Sequence, residues 1–331
     1  MRPVEVFDLL DLVHGALHTA VTAEGEVRFA RFTEEQKEGY RSTAAHFALK
    51  CDGTPGVLLD FFSDTDHLTF EAEFTKTTSH DFAVFDLLVD NALLDSVRFE
   101  GYEPRQVSFT LPAGAHRITL CLPWSTGTVL RNLQIDDNAF INPVEKSMRI
   151  LAIGDSITQG SVAAHPSLTY VSCMARSLNA EVLNQGIGGY CFYKESLSGA
   201  PDWMPDLITL AYGTNDFSIL PTKKSFEEQM RAYMQTLTDA YPSTPILVIT
   251  PIWRQDVPTD TLYGGKDYTF TDAISLMHKV LKDFPQTEIL EGLSFFPHHT
   301  DFLLPDKLHP NDLGFALYGQ AVAEKIKDLL G

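Results

Sequence analysis

The 331-residue chain is 44% hydrophobic and 21% charged, with 21 Gly and 18 Pro, proportions that exclude a disordered, collagen-like or coiled-coil architecture. Its 25 Lys and Arg against 44 Asp and Glu give a formal net charge of −19; such a surface repels phosphate backbones and anionic lipid, so neither nucleic acid nor membrane is expected as a partner. The acidity is shared between 11 basic and 23 acidic groups in residues 1–145 and 14 and 21 in residues 146–331, which describes a solvated surface compatible with neutral or cationic substrates.

Length predicts two domains, each large enough for its own core. At the N-terminus Asp8 and Asp11 interrupt the apolar stretch that could serve as a signal core, and no run approaches the roughly 18 apolar residues of a membrane span. Cys51, Cys121, Cys173 and Cys191 lack close-paired spacing, as expected of free thiols in a reducing compartment, so a cytoplasmic location is expected. Up to residues 137–147 the chain consists of short runs with β patterning: Glu26 to Phe32, His67 to Phe74, Arg105 to Leu111 and His116 to Leu122. In the second, Leu68, Phe70, Ala72 and Phe74 share one face and Thr69, Glu71 and Glu73 the other, the period of a half-buried strand. Turn segments around Gly53–Gly56, Gly114 and Gly127 separate these runs, and no convincing long helix intervenes. Residues 1–145 are expected to form a jelly-roll-like β-sandwich.

From residue 146 the texture changes. Met148–Ile153, Glu181–Leu183, Leu207–Ala211 and Ile246–Thr250 read as strands, three of them near-continuously apolar. Helical stretches lie at roughly Leu168–Leu178, Ser225–Ala240, with Ser225 and Glu228 as a capping box, Asp272–Phe284 and Asp312–Leu330. Alternating strands and helices predict a parallel α/β sheet over residues 146–331.

Four segments carry candidate chemistry. Gly154-Asp155-Ser156 follows the first of these strands, where α/β sheets place their ligands. Asp306-Lys-Leu-His309 sets a carboxylate three residues before an imidazole, a spacing that suits a general base with its orienting group, which a serine nucleophile requires. Asn184-Gln-Gly-Ile-Gly-Gly189 and Gly213-Thr-Asn-Asp216 each follow a predicted strand and offer backbone and side-chain N–H donors for an oxyanion.

Taken along the chain, with Ser156, Gly189, Asn215 and His309 in that order, the four segments resemble the SGNH, or GDSL, hydrolases, with Ile157 where the family name has Leu; the resemblance runs from about Met148 to Leu330. It implies a flavodoxin-like three-layer α/β/α fold and ester hydrolysis through an acyl-serine. It makes Ser156 the nucleophile, His309 the general base and Asp306 its orienter, with an oxyanion hole of the Ser156 and Gly189 backbone N–H groups and the Asn215 side chain. Gly189 is preferred for its distance from Asn184, with Gly188 the alternative.

A β-sandwich ahead of such a domain resembles bacterial carbohydrate acetylesterases, so the expected substrate is an acetylated oligosaccharide or other small ester. Asp155, Tyr190, Trp253 and Arg254 are candidate substrate-binding residues. The polar loop Gln255–Asp267 disfavours long-chain lipid. His298 and His299 are adjacent and point apart on extended chain, so no metal and no cofactor are expected. The rivals are a short-chain lipid esterase or thioesterase and a non-catalytic glycan-binding protein. Pairing into a homo-oligomer is compatible with the sequence.

Overall fold

Period-two patterning closes the first half of the chain into two six-stranded antiparallel sheets. In the computed structural model, which describes residues 1–199 and 202–330, Leu68, Phe70, Ala72 and Phe74 are all buried on the strand His67–Lys76. This strand lies between Thr126–Ile135 and Arg105–Thr110, and Val27–Ala30 pairs with the far side of Thr126–Ile135. The facing sheet runs Leu58–Ser63, His116–Cys121, Phe82–Val89, Ala92–Glu100. The chain passes between the sheets in the double Greek-key order of a jelly roll, over a core that includes Phe61, Phe70, Phe85, Leu87, Leu120 and Leu130.

The expectation of few helices in this half misses Val6–Leu12, Glu34–Thr43 and Ala45–Cys51. The second has a local signal: Thr33 Oγ1 accepts from Gln36 N while the Gln36 side chain accepts from Thr33 N, a reciprocal cap that satisfies two free donors. The sequence from Glu34 to Thr43 is polar because only Gln36, Gly39 and Tyr40 are buried, too few to form a clear apolar stripe.

The last antiparallel pairing, Asn142–Pro143 with Phe61 and Phe62, is followed at Met148 by the parallel sheet. Its strands are β1 (Met148–Gly154), β2 (Ala180–Gly186), β3 (Leu207–Ala211), β4 (Ile246–Ile249) and β5 (Thr287–Leu290), in the order β2-β1-β3-β4-β5. This is the flavodoxin-like order; β5 is too short and too exposed for the sequence pattern to reveal. On β1, Ile150 and Ala152 face one helical layer and Leu151 and Ile153 the other. Helices Lys223–Ala240 and Phe270–Leu281 cover one side, Tyr170–Leu178 and Asp312–Leu330 the other, where Tyr170 and Tyr318 stack at 4.3 Å. The first of these helices starts earlier than Ser225: Thr222 is its cap and Ser225 the reciprocal partner, so the expected Ser225–Glu228 box is corrected to Thr222–Ser225. Among the described residues no helix is long and apolar enough to cross a membrane. The four cysteines are free thiols.

Buried polar contacts weld the two units. Arg31, fully buried, donates to the carbonyls of Gly53, Lys50 and, across the interface, Asn184. Gln36 and Gln185 hydrogen-bond each other, Asp86 accepts from the backbone and hydroxyl of Ser167, and Trp124 Nε1 donates to the Ala163 carbonyl at 3.0 Å. Each would cost about 1–3 kcal/mol if left unpaired in a dry interface.

Candidate active site

At the end of strand β1 there is no room for a side chain on Gly154, since a Cβ there would stand 2.0 Å from Thr158 Oγ1 and 2.8 Å from the Ala211 carbonyl oxygen, so only glycine allows this close approach. Asp155 caps the short helix Ser156–Gln159, its Oδ1 accepting from Ile157 N at 2.9 Å, and Gly160 ends it at φ 82°. Ser156 is therefore the first helical residue, and its N–H has no partner among the described residues.

The second component arrives from the turn before the last helix. Lys307 at φ 62° folds Asp306 back so that its Oδ1 accepts from the backbone N–H groups of Leu308 and His309, both at 3.0 Å. Its other oxygen meets His309 Nδ1 at 2.7 Å, and His309 Nε2 lies 2.8 Å from Ser156 Oγ. With Nδ1 donating to Asp306, Nε2 is left to accept the serine proton. Burial opposes ionisation of Asp306, but the backbone N–H groups and the imidazole hold its pKa below the ordinary carboxylate value, so it stays an acceptor.

The glycine block follows β2. Gly188 N donates to Gln159 Oε1 at 2.7 Å, whereas Gly189 N, at φ 82°, has no partner among the described residues. A donor already spent cannot serve an oxyanion, so the free N–H favours Gly189 over Gly188. Asn215, on the helix Thr214–Ile219, donates from Nδ2 to the Tyr190 carbonyl at 3.1 Å, which sets it beside the residue following Gly189.

The Asp306–His309–Ser156 hydrogen-bonded chain and the unpaired Ser156 and Gly189 N–H groups coincide with a match of residues 152–317, half the chain, to the GDSL-like lipase/acylhydrolase family. The chain belongs to this family. A curated relative, the acetylxylan esterase/glucomannan deacetylase of Cellvibrio japonicus (strain Ueda107), is 26% identical over 238 residues, 59% of this chain and 65% of that protein; the match thus spans less than two thirds of the relative. Among solved structures, a salicylyl acyltransferase from a tetracycline biosynthetic pathway superposes at TM-score 0.80 with 21% identity, covering 96% of this chain and 94% of its own. A GDSL-like lipase structure from Bacteroides ovatus gives 0.78 with 19% identity over 99% and 98%. A family two carbohydrate esterase from Cellvibrio japonicus gives 0.63 with 19% identity over 96% and 94%. These likenesses show that the sandwich-plus-α/β architecture is shared across both domains.

In this GDSL-family chain three of the four candidate substrate-binding side chains are corrected. Asp155 is 3% exposed, Arg254 5% and Tyr190 0%; none offers surface to a substrate. Asp155 is a helix cap. Tyr190 packs edge-on against Phe47 and Tyr193. Arg254 pairs with Asp256 and donates to Thr214 Oγ1 at 3.0 Å and Ser218 Oγ at 3.2 Å, so it braces the helix that carries Asn215. Trp253 is half-buried and stacked on His298 at 5.6 Å; the neighbouring Gln255 N donates to the Lys307 carbonyl at 2.9 Å, which places this segment beside the Asp306–His309 turn.

Two buried carboxylates lie behind the site. Burial raises Asp155 from 3.8 to about 7 against the pull of the Ile157 N–H, and the Asp216 charge adds to the rise. Burial likewise raises Asp216 to about 7, against three backbone N–H groups and Gln229. Sequence reasoning missed one further residue, from the sandwich domain: Lys50, whose Nζ donates to the Gly188 carbonyl at 2.6 Å. No local motif marks it, since it reaches the glycine turn only through domain packing.

Proposed function

We propose that the protein is a serine esterase that removes short acyl groups, above all acetyl, from carbohydrate esters such as acetylated xylo- or manno-oligosaccharides. The observation that carries this is the unbroken chain Asp306–His309–Ser156 at 2.7 and 2.8 Å. Ser156 Oγ attacks the ester carbonyl while its proton passes to His309 Nε2, and Asp306 holds the imidazolium that forms. The carbonyl oxygen gains charge facing the N–H groups of Ser156 and Gly189 and the Asn215 amide. Collapse of the tetrahedral intermediate breaks the bond to the sugar oxygen, which takes the proton from Nε2, and the acyl group remains on Ser156. His309 then deprotonates water for the second attack, which releases the acid and restores the serine.

The carbohydrate part of the proposal is supported by the Cellvibrio relative, whose name records acetylxylan and glucomannan, and by the polar loop after β4. Net charge of −19 favours neutral sugars over polyanions. In a screen of acetylated xylo- and manno-oligosaccharides followed by mass loss per acetyl, turnover is expected, and Ser156→Ala lowers it, with p-nitrophenyl acetate hydrolysis, by about 10³-fold or more. Unaltered activity in that variant sinks the nucleophile assignment. Higher rates on C8 or acyl-CoA substrates indicate a lipid esterase or thioesterase. Glycan binding without turnover indicates a binding protein.

A further inference from the structure

The peptide unit joining Gly188 to Gly189 has its two polar ends committed to different tasks. Its N–H is the free donor assigned to the oxyanion, and its C=O accepts from Lys50 Nζ at 2.6 Å, across 138 residues of sequence. A Cβ placed on Gly188 would stand 3.6 Å from Lys50 Nζ and 3.4 Å from Ser156 Cβ, so ammonium and nucleophile flank one point of the glycine turn. Two successive glycines carry no side chain to restrain them, and φ 82° at Gly189 is held by contacts alone. Gln159 clamps the peptide before Gly188 from its N–H, and Lys50 clamps the one after it from its oxygen.

We propose that Lys50, supplied by the sandwich domain, is a positioning residue of the esterase site: by donating to the Gly188 carbonyl it fixes and polarises the Gly188–Gly189 peptide, strengthening Gly189 N–H toward the developing oxyanion. The inference rests on the esterase function proposed above. A hydrogen bond to a carbonyl polarises its amide and strengthens the N–H on the other side by about 10–30%, and a charged donor does this more than a neutral one. The fold goes to some length to hold this ammonium. Its helix, Ala45–Cys51, is anchored where the buried Arg31 donates to the Lys50 carbonyl at 3.1 Å and to Asn184 at the end of β2. Its stem runs by the Phe47 ring, with Nζ 5.5 Å from the centroid. Half-burial lowers the lysine pKa, a cost that a carbonyl needing only a neutral donor or water would not impose.

The test combines kinetics with an amide reporter. Only two Gly–Gly peptides occur in the chain, Gly188–Gly189 and Gly264–Gly265, so glycine labelled with ¹³C at the carbonyl and ¹⁵N yields two HNCO peaks; the second, in the exposed loop, is the internal control. Lys50→Met is expected to lower kcat on an aryl acetate about tenfold with KM within about twofold, a fraction of the effect of deleting an oxyanion donor. The Gly188 carbonyl ¹³C and Gly189 amide ¹H resonances move upfield while the control stays in place. Lys50→Arg recovers most of kcat, and Lys50→Gln, which keeps a donor but no charge and is milder on folding, falls between. Unmoved peaks, an unchanged kcat, or a rise in KM alone, which would mean direct contact with substrate, each overturn the inference. A wild type without Ser156-dependent turnover overturns the esterase proposal and this one together, whereas an active wild type indifferent to Lys50→Met overturns this one only.

Discussion

Asn215 spends one amide hydrogen on the Tyr190 carbonyl, and a side-chain amide with two donors leaves the other for the oxyanion proposed above. Because that second bond strengthens as charge develops on the carbonyl oxygen, Asn215→Ala is expected to lower kcat by about 10²–10³ while KM stays nearly constant, as read by steady-state hydrolysis of an acetyl ester. At this scale one contact of the candidate site was legible from spacing, since Asp306 and His309 meet within a single turn, whereas the meeting of His309 with Ser156, 153 residues apart, is set by the fold. Tyr190 and Arg254 were misjudged because burial is not written in a residue's type. An aromatic and a guanidinium near a catalytic loop serve equally well as packing and as brace.

Gly39 shows how an element can reverse an ordinary propensity. In the interior of an exposed helix, glycine is worse than alanine by about 1 kcal/mol, so Gly39→Ala in Glu34–Thr43 would ordinarily stabilise. Here the added Cβ would stand 1.9 Å from the Glu195 carbonyl oxygen of the catalytic domain. The expected outcome is instead a loss of about 1–3 kcal/mol in urea unfolding, because backbone must move. The capping box at Thr33 was present in the sequence, but what this helix is for was not: its small, polar face reads as solvent-exposed until the second domain is laid against it. The same holds for Ala45–Cys51, the carrier of Lys50.

Across the whole molecule the pH dependence of stability sums opposing groups. Asp155 and Asp216, raised from 3.8 to about 7 in the fold, bind more protons folded than unfolded between those values, so their contribution falls as pH rises through that window and levels off above about 7. Asp60 works the other way: burial alone would raise it, but Arg117 and Lys146 hold it below the ordinary value, so its contribution is present at neutral pH and is lost only in acid. Asp155→Asn removes one rising group and its repulsion of the other, while the amide oxygen can still cap Ile157. The drop in Tm from pH 5 to pH 8, measured by calorimetry in matched ionic strength, is expected to be smaller in this variant than in the wild type. A drop of equal size would show that Asp155 ionises normally in the fold.

By itself the sequence determined the two textures, the parallel-sheet strands with their apolar runs, and the order of the catalytic motifs, because these depend on periodicity and on spacing along the chain. Only the tertiary structure decided which glycine has a free N–H, since that turns on Gln159 reaching Gly188. It likewise decided how the jelly roll is joined to the α/β unit: Arg31, Lys50 and Asp86 bond residues 153, 138 and 81 positions away, and contacts at such separation leave no periodic trace in the sequence that forms them.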